Sequence, residues 1–284
     1  MSKPTFSGHD SFECRHFWLK KGYDHIVKGE KFNDEAVITL GVGRNMVNSI
    51  RYWLKAYGLI DENENLTAFA KLIFDKEGFD PYIEDEATLW LLHYKIVSLD
   101  FASIYSILFN DFRRQKPEFK KEHLFLFCQK KFPALNENTF SKDFDALMKT
   151  YIPKGNEAEE NYEGLLIDLN LVNEIKIEGK MAYVIKNDER NQLPEDIILF
   201  CILDKHKTNS IDFETLYSDK NSVGVVFSLT KECLANKLKA IAEKYKSEGI
   251  VFSDQAGIKE LQFKKKLPDS KVVLKNYYSN VYAG

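Results

Sequence analysis

Across residues 36–60, apolar and polar positions follow the period of an α-helix, broken once by Gly41-Val42-Gly43. Val37 and Leu40 precede the break, and Met46, Ile50, Trp53, Leu54 and Tyr57 recur after it at spacings that place them on one side of a helix. Gly58 supplies the stop. The other side carries Arg44, Asn48, Arg51 and Lys55, with Asn45 beside them at the helix start, and no carboxylate lies between Gly41 and Ile60. Two short helices joined by a Gly-x-Gly turn are the outline of a helix-turn-helix. Its second helix would bury one side and offer the other, cationic and amide-bearing, to a DNA groove. The same stripe also suits a solvated surface or a protein-binding face, because the fold does not by itself fix the function.

The pattern continues in both directions. Leu59-Ile60 and Leu66-Thr67 flank the polar run Asp61-Glu62-Asn63-Glu64-Asn65, which predicts a short two-stranded wing. Its acids would be repelled by phosphates, so the tip should point away from DNA or touch a protein. A helix over 67–74 follows, with Leu66, Phe69, Ile73 and Phe74 inward, and upstream the aromatics Phe12, Phe17, Trp18 and Tyr23 predict a helix docked on the pair. Beyond Asp80-Pro81, helices run from about Asp85 to Tyr151; the last, over 138–151, mixes Asp143 and Asp145 with Lys142 and Lys149 and reads as packed rather than DNA-contacting. The acidic stretch 153–161 reads as a flexible linker. A hairpin over 174–185, a helix over 194–203, an amphipathic helix over 230–246 and strands at 249–252 and 258–263 then repeat the helix-plus-wing plan. The expectation is an α+β, mainly helical protein of tandem winged-helix or helix-turn-helix modules. It divides into a winged-helix domain at 1–79 with its docked amino-terminal segment, a helical domain at 80–152 and a winged-helix-like domain at 153–284.

Composition sharpens this picture. The chain has 284 residues, 44% hydrophobic and 13% aromatic, far too apolar for a disordered protein and long enough for more than one core. The net charge of −3 gives no global pull on nucleic acid, so any DNA contact must come from local patches. Arg113-Arg114-Gln115-Lys116 with Lys120-Lys121, and the run Lys264, Lys265, Lys266, Lys271 and Lys275, read as solvated surface rather than binding sites. Cys14, Cys128, Cys201 and Cys233 are scattered in apolar surroundings without Cys-x-x-Cys spacing, as expected of core thiols in a reduced, cytoplasmic protein. The start lacks a secretory signal, and the most apolar stretch, 88–109, is interrupted by His93, Lys95 and Asp100, which argues against a membrane span.

Catalytic patterns are sparse. Asp168 with Glu174-Ile175-Lys176 has the residue types of a metal-dependent nuclease, but the six-residue gap is short for two strands to bring the carboxylates together. His9, Cys14, His16 and His25 are zinc-ligand types without the spacing of a finger or ribbon, and Gly41-Val42-Gly43 lacks the Gly-Lys-Ser/Thr of a phosphate loop. No catalytic residue, metal or cofactor is assigned.

Several segments carry a resemblance: the run Phe6-Ser7-Gly8-His9-Asp10-Ser11-Phe12, the run Trp18-Leu19-Lys20-Lys21-Gly22-Tyr23-Asp24, residues 40–54, and Asp80-Pro81-Tyr82-Ile83-Glu84-Asp85 with residues 88–93. Together they resemble a bacterial family of unknown function found in phage-defence islands, beside genes like the sulfur-transfer reductases of DNA phosphorothioation. The resemblance is dense over the first 95 residues or so and thins beyond. It implies a setting in DNA modification or restriction and no catalytic residues. The reading is therefore a non-enzymatic DNA-binding or targeting subunit of such a system. Arg44, Asn45, Asn48, Arg51 and Lys55 would face double-stranded DNA, with protein partners from the same complex and no membrane. An interaction adaptor is the first alternative and a metal-dependent nuclease the second.

Overall fold

The computed structural model describes residues 4–153, 164–255 and 257–281. The linker expected at 153–161 lies almost wholly outside them. The protein is α+β, mainly helical, with small antiparallel sheets, and it forms two compact units, residues 1–186 and 187–284.

In the first unit, α1 (Trp18–Val27), α2 (Ala36–Leu40) and α3 (Arg44–Ala56) pack together, followed by α4 (Ala68–Phe74). Gly22 sets the approach of α1 to α3, since a Cβ there would lie 2.7 Å from Leu54 Cδ1 and 2.8 Å from Ile50 Cγ2. Polar side chains fix the helix starts: Thr67 accepts from the Ala70 amide, Asp85 from Ala87 and Asn136 from Thr139. The centre of the unit is α5 (Glu86–Ser98), whose buried residues run from Ala87 through Tyr94 to Ile96 and Val97, so no single apolar stripe emerges. Behind it come α6 (Ser103–Ser106), a π-helical stretch Ile107–Phe112, α7 (Arg113–Gln115), β1 (Glu118–Phe119), α8 (Lys121–Lys131) and α9 (Glu137–Tyr151). The predicted packing role of α9 holds, with Phe140, Phe144, Leu147 and Tyr151 buried. The hairpin appears as β2 (Asn173–Ile177) and β3 (Lys180–Val184), turning through Glu178 and Gly179 at φ 54° and 74°, and β3 also pairs with β1.

The second unit runs α10 (Glu195–Lys205), β4 (Ser210–Asp212), α11 (Phe213–Ser218), α12 (Val223–Val226), α13 (Lys231–Lys244), β5 (Ile250–Gln255), β6 (Ile258–Phe263) and α14 (Ser270–Val281). Its antiparallel sheet has the order β4-β6-β5. Thr230 caps α13, whose Leu234, Leu238 and Ile241 point into the core as the periodicity predicts, along with Tyr245 just past its end. β6 spans the residues expected, and β5 runs three residues further than expected, to Gln255.

Three expectations need correction. The aromatic amino-terminal segment is helical only from Trp18, because Ser7, Gly8, Asp10 and Ser11 all take left-handed backbone that a helix cannot contain. The wing after α3 shrinks to one bridge between Ile60 and Leu66. Arg113, read as part of a basic surface, is buried and donates from Nε to the Phe109 carbonyl at 3.2 Å. Among the described residues no single helix is long and apolar enough to cross a membrane.

Candidate nucleic-acid interface

The turn between α2 and α3 follows from two glycines with different duties. Gly41 ends α2 in the left-handed region at φ 62°, where its amide reaches the Ile38 carbonyl at 3.2 Å while Val42 reaches Val37 at 3.2 Å. Gly43 is extended and stands at the N-cap of α3 with no side-chain cap. The first turn of α3 holds no acid and begins with Arg44, so its exposed amides and a cation share the positive end of the helix.

Most of α3 is buried: Val47, Ser49, Ile50, Tyr52, Trp53, Leu54 and Ala56 all face protein. The inward arc is wider than the periodicity implied, and Met46, expected inside, is only half-buried. What widens it is the irregular amino-terminal segment. Gly8 lies against the Tyr52 ring, where a Cβ would come within 2.8 Å of Cδ2. The Ser49 hydroxyl donates to the His9 carbonyl at 2.6 Å and the Trp53 indole to the Phe12 carbonyl at 3.1 Å. His9 itself is buried, stacked on Trp53, with Nε2 2.5 Å from Asp143 of α9, and Asp143 also accepts the Ser7 amide at 2.9 Å. Burial, with the Asp143 carboxylate nearby, pushes the Tyr52 phenol far up. The sequence marks His9 as a possible zinc ligand and as part of the Phe6–Phe12 run, with no sign of this buried contact. Its partner lies 134 positions away, and no local pattern marks it.

The remaining stripe of α3 is the predicted one. Arg44, Asn45, Asn48 and Arg51 are exposed and Lys55 is half-buried. The contacts made by four of them were not foreseen. Arg44 pairs with Asp34 at 2.7 Å, and Asn48 donates to Asp10 at 3.2 Å. Arg51 donates through Nε at 2.7 Å and through its terminal nitrogen to Glu64, which also lies 3.8 Å from Lys55. Asn45 makes no side-chain hydrogen bond among the described residues. Glu64 reaches the helix because Asp61 braces the turn, accepting the amides of Asn63 and Asn65 at 2.9 Å each, and these bonds, Asn65 foremost, hold the Asp61 carboxyl below the usual range. The acidic turn thus folds onto α3. At the helix start, Arg44, Val47 and Asn48 line a concavity of about 480 Å³ with Phe32, Asn33, Asp34 and Glu35.

The other candidates do not assemble. His16 binds the Tyr82 carbonyl and His25 the Lys31 carbonyl, while Cys14 is buried with its thiol pushed well up by desolvation. Asp168 and Glu174 are exposed on separate elements, and Lys176 sits opposite Met181 in the hairpin. Among the described residues no three His, Cys, Asp or Glu side chains gather as a metal site would require.

A mainly helical α+β chain with small sheets, holding a largely buried helix with one exposed polar stripe behind a tight Gly-x-Gly turn, is the class that these features define. The chain belongs to a family of proteins of unknown function, DUF4007, which it matches over residues 6–278. It is similar to a crystal structure titled magnesium ion-bound SspB, with 26% identity and a TM-score of 0.84, covering 99% of this chain and 90% of that one. A second SspB crystal structure gives 25% identity, a TM-score of 0.83 and the same coverage. No curated protein matches the chain.

Proposed function

We propose that the chain is a non-enzymatic DNA-binding or targeting subunit of a bacterial DNA-modification or phage-defence system. In this reading α2, the Gly41 turn and α3 act as a helix-turn-helix, and α10 to β6 form a second, winged-helix-like module. The observation that carries it is the exposed stripe of α3, where Arg44, Asn45, Asn48 and Arg51 stand at the open end of a helix that bears no acid. An Arg can read guanine and an Asn adenine in the major groove, while Lys55, lower on the helix, suits phosphate. The element order helix, strand, helices, helix, hairpin in the second unit, with sheet order β4-β6-β5, supports the second module.

The acids around the stripe set its behaviour. Asp34 and Arg44 are both largely exposed, and exposed ion pairs contribute only about 0–1 kcal/mol, so phosphates can displace them. Neutral when unbound, such a face would bind weakly to arbitrary sequence, as suits a targeting role. The protein-adaptor reading draws on the same acids and on the net charge of −3. One of the two similar SspB crystal structures is magnesium ion-bound, which is a property of that protein. Here burial, and after it the charges of Asp168 and Asp85, raise the Glu86 carboxyl, but no three such side chains gather as a metal site among the described residues. Asp85 caps α5 and Glu86 accepts the Trp90 indole at 3.2 Å.

Fluorescence anisotropy with modified and unmodified duplexes across a salt series tests the proposal. Binding should weaken as salt rises, and Arg44→Ala with Arg51→Ala should lower affinity and flatten the salt slope by about two units if both meet phosphate. A double variant that binds duplex as the parent does, yet loses a protein partner, would replace this reading with the adaptor.

A further inference from the structure

A separate groove in the first unit, about 570 Å³ in volume, lies where α1, α2 and the loop before α5 meet. Its walls include Phe17 and Tyr82, 66% and 57% exposed, which are the most exposed aromatic side chains among the described residues. Burying aromatic rings is among the strongest drives in folding, so two of them held open around one concavity call for an explanation.

The backbone holds Tyr82 outward at a cost. Buried Asp80 accepts the amides of Glu84 at 2.8 Å and Asp85 at 3.1 Å and the Thr88 hydroxyl at 2.5 Å, which fixes the loop. Ile83, a β-branched residue, is buried at φ 59°, a strained conformation that turns the chain between Tyr82 and Asp85. The Tyr82 carbonyl is held by His16 Nε2 at 3.1 Å. Strain kept in place by buried partners is commonly found where a side chain must be presented.

The groove's charges complete the pattern. Lys20 lies 5.6 Å from the centre of the Tyr82 ring and is matched by Asp24 at 2.5 Å. Lys21 donates to the Leu40 carbonyl at 3.0 Å, and among the described residues neither Lys21 nor Lys28 pairs with a carboxylate. Glu30 is the other acid on the rim. Solvent-exposed aromatic rings beside ammonium groups that no carboxylate pairs, here Lys21 and Lys28, are what a single-stranded nucleic acid needs, since bases stack on rings regardless of sequence and phosphates meet the cations.

We infer that this groove binds unpaired DNA, with Phe17 and Tyr82 as stacking platforms and Lys21 and Lys28 as phosphate contacts. This is a different site from the α3 stripe, and it shares with the duplex reading only the nucleic-acid setting.

The test measures binding of the full chain to a fluorescein-labelled oligothymidine by anisotropy at fixed low salt. Tyr82→Leu with Phe17→Ala should weaken binding by about tenfold or more, whereas Tyr82→Phe, which keeps the ring, should stay within about twofold of the parent. Both rings are exposed, so thermal unfolding should be unchanged, and duplex affinity should be unchanged too. The inference falls if the parent does not bind the oligonucleotide, or if the double variant binds it equally well. It also falls if Tyr82→Phe loses as much as the double variant, or if poly-glutamate competes as effectively as oligothymidine, which would make the groove a site for acidic peptide. Arg44→Ala with Arg51→Ala reports on the duplex reading alone, so either proposal can fail while the other stands.

Discussion

Gly41 and Gly43 look interchangeable in the sequence, but only one of them occupies left-handed backbone. Neither faces a neighbour that a Cβ would strike, so the conformation alone decides. Gly41→Ala should cost about 1–2 kcal/mol in urea unfolding. Gly43→Ala, at φ −65° in an N-cap, should cost only about 0.5 kcal/mol. Asp143 is the buried acid that ties the amino-terminal segment to α9. Asp143→Ala would strand the Ser7 amide and His9 Nε2 without an acceptor, a loss of about 3 kcal/mol, readable as a lower denaturation midpoint. The turn glycine was legible because Gly-x-Gly between apolar periods has few other uses, whereas the role of His9 depended on a residue from a distant helix.

At the scale of the element, the turn 61–65 and α3 act together. Glu64→Gln removes the partner of Arg51 and Lys55 without touching the core. Stability should change by no more than about 0.5 kcal/mol, while duplex affinity should rise and its salt dependence steepen. An unchanged affinity would mean that these cations do not meet DNA. The brace of this turn has its own pH signature. Because the folded Asp61 carboxyl is held below its unfolded value of about 3.9, its contribution is present above that pH and is lost as pH falls through the lower, folded value. A carbon-detected NMR titration should therefore place the Asp61 midpoint below about 3.9. The helices here were legible from period and caps. The wing was read too long because alternation over two residues a side cannot distinguish a ladder from one bridge.

For the whole molecule, residues 187–284 hold a compact unit with its own sheet and its own buried helix, α10. Expressed alone, that segment should unfold cooperatively, with calorimetric and van't Hoff enthalpies in agreement. Asp168→Ala should leave any defence activity of the chain unchanged. A purified parent chain that cuts DNA with magnesium, and a variant that no longer does, would instead establish the nuclease alternative.

The sequence by itself determined α2 and α3 with the Gly41 turn between them, the polar stripe from Arg44 to Lys55 and the hairpin at Glu178-Gly179, since each depends on residues within a few positions of one another. Tertiary structure decided the rest. Only the folded chain brings Asp10, Asp34 and Glu64 onto the cations and amide of α3, carries Asp143 to His9, and puts Tyr82 and Phe17 on the walls of one groove. Charge and aromatic pairing act over a few ångströms of space, and distance along the chain does not report it.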